Sequence, residues 1–83
     1  MQGGQAFELE VLLRAVIKAR AALDLARAQG SSPAMIQSER RELQAALAAY
    51  AVALTRLGHP VPYQMRNELA MYQAMFDPVR RRR

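Results

Sequence analysis

Residues 45–54 read Ala-Ala-Leu-Ala-Ala-Tyr-Ala-Val-Ala-Leu, a run of ten apolar residues with no polar position. A helix built from this run is apolar all the way round, and such a helix is stable when it is covered on every side. A chain of 83 residues forms one small domain with a modest core. The run therefore predicts a helix that is covered partly by its own chain and partly by a second one.

The segment before this run predicts a first helix over about residues 6–28. Apolar residues recur there at steps of three and four, the spacing of one helix face: Leu9, Leu12, Val16, Ala19, Leu23 and Ala26. Gly30 is a candidate left-handed helix cap, and Ser32 followed by Pro33 is typical of a helix start. A second helix is predicted over residues 33–57, and the short link between the two favours an antiparallel hairpin.

Two prolines, Pro60 and Pro62, predict an extended connector after the second helix. A third, shorter helix follows over residues 62–76. Its apolar stripe consists of Met65, Leu69, Tyr72 and Phe76. The predicted fold class is therefore all-α. It consists of an antiparallel helical hairpin plus a short third helix, in a single domain over residues 1–79 that dimerises into a helical bundle.

The net charge of +5 comes mainly from the C-terminal tail, which contains Arg80, Arg81, Arg82 and Arg83. Residues 1–79 hold eight basic and seven acidic residues, a balance of +1. A domain that reads DNA or RNA usually carries a basic stripe on a folded face, whereas the basic residues of this domain are scattered among acidic ones. A nucleic-acid-associated regulator that uses the arginine tail is therefore the alternative hypothesis, and it predicts salt-sensitive binding.

The residues that catalysis or metal binding requires are scarce in this chain. It has no cysteine and a single histidine, His59, which leaves a thiolate or histidine metal site short of ligands. It also contains no glycine-rich phosphate loop, nucleophile elbow or zinc-binding helix motif. We therefore expect no enzymatic activity, no catalytic residue and no cofactor or metal.

The location of the protein is suggested by two features. The longest apolar run, of ten residues, is too short to span a bilayer, and the first residues lack the pattern of a secretory signal peptide. We therefore expect a cytoplasmic protein without membrane contact. The excess of arginine over lysine and the abundance of alanine suggest a bacterial or phage source.

Self-association is predicted along the apolar seam of the second helix, at Leu43, Leu47, Tyr50 and Leu54. The alanines at positions 45, 49 and 53 would allow another backbone to approach closely. The alternative is that alanine is abundant simply because it is the best helix former and tolerates exposure. We expect a homodimer, because the two seams together exceed what one hairpin buries.

Partner binding is predicted at the stripe of the third helix, Met65, Leu69, Tyr72 and Phe76, which is suited to a groove on another protein. The alternative is that this stripe closes the end of the hairpin's own core. The function predicted from the sequence is that of a small non-enzymatic protein-binding module, an adaptor, chaperone or inhibitor of a bacterial or phage partner protein, acting through helix faces.

Overall fold

The computed structural model describes the backbone of residues 2–76 and the side chains of residues 7–76. This part of the chain forms three helices and no strand: α1 (Gln2–Ala28), α2 (Pro33–Arg56) and α3 (Tyr63–Phe76). The predicted all-helical fold is confirmed. Its bounds differ slightly, since α1 begins at Gln2 rather than near residue 6, α2 ends at Arg56 and α3 begins at Tyr63.

The link between α1 and α2 has the predicted caps. Gly30 has a φ of +67°, and the N–H of Ser31 donates to the carbonyl of Ala26 at 3.0 Å, which closes a Schellman motif. The Ser32 side chain accepts a hydrogen bond from the N–H of Met35 at 3.2 Å, with Pro33 in the first helical turn. α1 and α2 consequently pack closely against each other as a hairpin.

The link between α2 and α3 repeats the same kind of helix end. Gly58 has a φ of +81°, and the N–H of His59 donates to the carbonyl of Leu54 at 2.8 Å. The two prolines then prevent α2 from continuing, because proline lacks the N–H that a helix needs. This turn lets α3 fold back, and α3 packs on α2.

The core lies where the three helices meet, and all of them contribute to it. Its buried residues are Val16 and Leu23 from α1, Leu43 and Leu47 from α2, and Tyr72 from α3. Partly buried apolar residues surround this cluster, among them Ile36, Tyr50, Met65, Leu69 and Phe76. Among the described residues, no polar or charged residue is fully buried, so the buried cluster itself is apolar.

Candidate protein-interaction surface

The seam predicted for self-association lies inside the packing of the single chain. Leu43, Leu47 and Leu54 are 1%, 0% and 7% exposed, and Tyr50 packs partly buried against the same core. A second copy that docks on the folded chain therefore meets other residues, and of these four only Tyr50 keeps an appreciable exposed area.

The apolar stripe of α3 also faces its own chain. Tyr72 is 5% exposed, and Met65, Leu69 and Phe76 pack against the core as partly buried residues. The structure thus supports the second interpretation of this stripe, in which it closes the core of the hairpin. α3 therefore covers one side of the α1–α2 hairpin and leaves the other side open.

Two polar contacts help to hold α3 in place. Two guanidinium nitrogens of Arg20 in α1 donate to the two carboxylate oxygens of Glu68 in α3, at 2.5 and 3.1 Å. This hydrogen bonding raises the pKa of Arg20 above its ordinary value, so the guanidinium stays charged. Arg41 of α2 lies over the ring of Phe76, 4.6 Å from its centroid, at a distance where a cation is attracted to the ring.

The Arg20–Glu68 pair is expected to contribute little to stability, because both side chains are partly exposed to water. In a double-mutant cycle of Arg20→Ala and Glu68→Ala, the coupling measured by urea denaturation should be about 0.2–1 kcal/mol. The exposed Glu10–Arg14 pair within α1 serves as the control. A coupling several times larger would mean that the ion pair, rather than apolar packing, anchors α3.

The open side of the hairpin is lined by small side chains, and we call it the alanine face. Two shallow grooves between α1 and α2 lie along it, lined only by residues of these two helices. The alanine face consists of Ala15, Ala19 and Ala22 of α1 and Ala45, Ala46, Ala49 and Val52 of α2.

The alanine face points away from α3. Ala22 lies two residues from Arg20, the residue of α1 that contacts α3, and two residues correspond to about 200° around a helix. Ala15, Ala45 and Ala49 are exposed, and Val52 is 60% exposed. Half of the ten-residue apolar run is thus covered by the core, while its alanine side still faces water.

Charged residues lie along the edges of the alanine face. Towards the α1–α2 link, Lys18 of α1 lines the same groove as Glu39 and Glu42 of α2. At the other end Glu8 of α1 accepts a hydrogen bond from Arg56 of α2 at 2.6 Å. The two helices therefore carry opposite charges at each end. Within the described residues, Lys18, Glu39 and Glu42 form no ion pair.

Large apolar side chains outside the core add to the exposed surface. In the part of the chain that the structure describes, those at least a third exposed are Phe7, Val11, Leu13, Ile17, Leu25, Met35, Val52, Tyr63 and Met71. Of these residues Val52 belongs to the alanine face, whereas apolar residues scattered singly over a surface are ordinary in soluble proteins. Sequence reasoning assigned no role to Val11, Ala15 or Ala22, although their spacing places them along one side of α1.

The described residues contain no group of three or more histidine, cysteine, aspartate or glutamate residues that could hold a metal ion, and no helix among them has the length and apolar character needed to cross a membrane. The tail residues Arg80, Arg81, Arg82 and Arg83 lie outside the described part.

Comparisons of the chain with protein-family models, curated proteins and solved structures found no significant match.

Proposed function

We propose that this chain is a small non-enzymatic protein-binding module, acting as an adaptor, chaperone or inhibitor, and that it binds a helix of another protein chain through the alanine face. The observation that carries the proposal is that α3 covers only one side of the hairpin. α3 packs over Leu43 and Leu47 of α2, while Ala45 and Ala49 on the same helix remain exposed.

The shape of the alanine face suits a helix as its ligand. Alanine side chains let two helix axes approach to about 8 Å, the short end of the usual range. A helix of the partner can lie along the grooves between α1 and α2, and amphipathic helices bind to apolar grooves in this way.

The same surface is poorly suited to catalysis. The two grooves that run along the alanine face are lined by methyl groups with charged residues at their rims, and by no serine, threonine, histidine or cysteine. Small-molecule sites usually enclose their ligand and converge several polar groups on it. An open, shallow and methyl-lined groove is instead typical of contact with another protein.

The experiment that tests the proposal places a photo-crosslinking amino acid at position 49 and, in a second variant, at position 70. Ala49 lies on the alanine face, whereas Ala70 is an exposed alanine of α3. In a lysate of the source organism, we expect a specific protein adduct at position 49 and none at position 70. Equal adducts at both positions, or adducts at position 70 alone, would contradict the proposal.

A matched pair of substitutions then tests the captured complex. Ala49→Arg should abolish binding of the captured protein, because a long charged side chain cannot be buried between closely packed helices. Ala70→Arg should leave the binding intact. Arginine is a good helix former, so both variants should keep the circular dichroism spectrum of the original chain. Full binding by Ala49→Arg would remove the alanine face from the proposed function.

A further inference from the structure

We infer that the chain that occupies the alanine face is a second copy of this chain. The inference rests on the proposed function and names the partner of that same face. Two hairpins stack with their alanine faces together and form a four-helix bundle, with the α3 helix of each copy on the outside. Such a dimer covers the side of the apolar run that α3 leaves exposed.

The area of the alanine face is sufficient for a stable dimer. The residues of α2 that line this surface run from Glu39 to Arg56, which gives a length of about 27 Å, and two helices side by side are about 20 Å wide, so that the face measures roughly 540 Å². Two such faces bury roughly 1,100 Å² in total, above the threshold of about 1,000 Å² for a specific interface.

The charges at the rim favour one arrangement of the two copies. A two-fold axis parallel to the helices places α1 of each copy antiparallel over α2 of the other, at the same level along the hairpin. Lys18 then lies opposite Glu42 of the partner subunit, with Glu39 of the partner subunit one turn away. At the other end, Glu8 lies opposite Arg56 of the partner subunit.

The alternative two-fold axis, perpendicular to the helices, lacks this complementarity. It stacks α1 on α1 and α2 on α2, so Lys18 no longer faces the acidic residues of α2. The first arrangement gives the unpaired charges of the alanine face a partner of opposite sign, and it does so twice because the contact is symmetric. Charge complementarity thus favours a second copy of this chain on the alanine face, with its α1 over α2 of the first copy.

Charge reversal at this rim provides a test that separates contacts between copies from contacts within one chain. Lys18→Glu places two pairs of like charges in the proposed dimer, and Glu42→Lys does the same with the opposite sign. Each variant alone should raise the dimer Kd about tenfold, since two exposed pairs change from attraction to repulsion. An equal mixture of the two variants should restore the original Kd, because both pairs of the mixed dimer are again of opposite charge.

The measurements are sedimentation equilibrium for each purified chain and native mass spectrometry for the mixture. Arg14→Glu and Glu10→Lys are the matched controls, because they make the same charge changes at exposed residues of α1 that do not line the alanine face. We expect a dimer of the original chain at micromolar concentration, dimers of both controls, and preferential pairing of Lys18→Glu with Glu42→Lys.

Two results would overturn the inference. A chain that is folded but monomeric at micromolar concentration would exclude the second copy. If a different protein is then captured at position 49, the proposed function stands without the dimer. A dimer that is indifferent to both charge reversals, or whose variants fail to pair preferentially, would exclude the arrangement.

Discussion

Replacing Leu47 by alanine should strongly destabilise the folded chain. Leu47 is 0% exposed and lies in the cluster to which all three helices contribute. Truncating a fully buried leucine costs about 2–5 kcal/mol, through lost apolar burial and the cavity left behind. Folded domains have a net stability of only about 0.05–0.15 kcal/mol per residue. The expected loss is therefore a large part of the free energy of unfolding.

Urea denaturation followed by far-UV circular dichroism measures this effect. Leu25→Ala is the matched control, because it removes the same atoms from a side chain that is 57% exposed. It should lower the free energy of unfolding by less than about 1 kcal/mol. Equal effects of the two substitutions would show that the core does not lie where the three helices meet.

Replacing Tyr72 by alanine should have an effect of similar size. Tyr72 is 5% exposed, and it is the residue of α3 that enters the buried cluster. Truncation of a buried aromatic residue costs about 3–5 kcal/mol. α3 has 14 residues, and an isolated helix of this length is marginal in water. Without the Tyr72 ring α3 should therefore unfold, and Leu43 and Leu47 of α2 should become exposed to solvent.

Tyr72→Phe is the control for this prediction, because it keeps the ring that fills the core. The phenylalanine variant should unfold close to the original urea midpoint, whereas the alanine variant should show a lower midpoint and a weaker helical signal before unfolding. If both variants unfold at the same midpoint, then α3 does not stabilise the hairpin. The proposed function would then lose its basis, because it rests on α3 covering one side of the hairpin.

The helices and their ends were predictable because their signals are local. Gly30 and Gly58 adopt the left-handed conformation that glycine reaches without strain. Ser32 caps α2 with its own side chain, three residues from the N–H that it accepts. Each of these interactions joins residues that are close in sequence, so the residue types and their spacing are enough to predict them.

The roles of the apolar seams were harder to predict, because periodicity shows which side of a helix is apolar but not which neighbour covers it. Leu43 and Leu47 were predicted to join two copies, yet they are buried in the core of one chain. They are packed against Tyr72, which lies 29 residues after Leu43 and 25 residues after Leu47 in the sequence. Tyr72 reaches them because the turn at Gly58 folds α3 back.

The sequence by itself determined that the chain is helical and where its helices are interrupted by the two links. Those properties depend on contacts within one or two helical turns. Only the tertiary structure decided that α3 covers the leucine side of the run of residues 45–54 and that the side with Ala45 and Ala49 stays open. That choice depends on how distant helices pack, because alanine is the best intrinsic helix former and its presence in a helix does not indicate which side is covered.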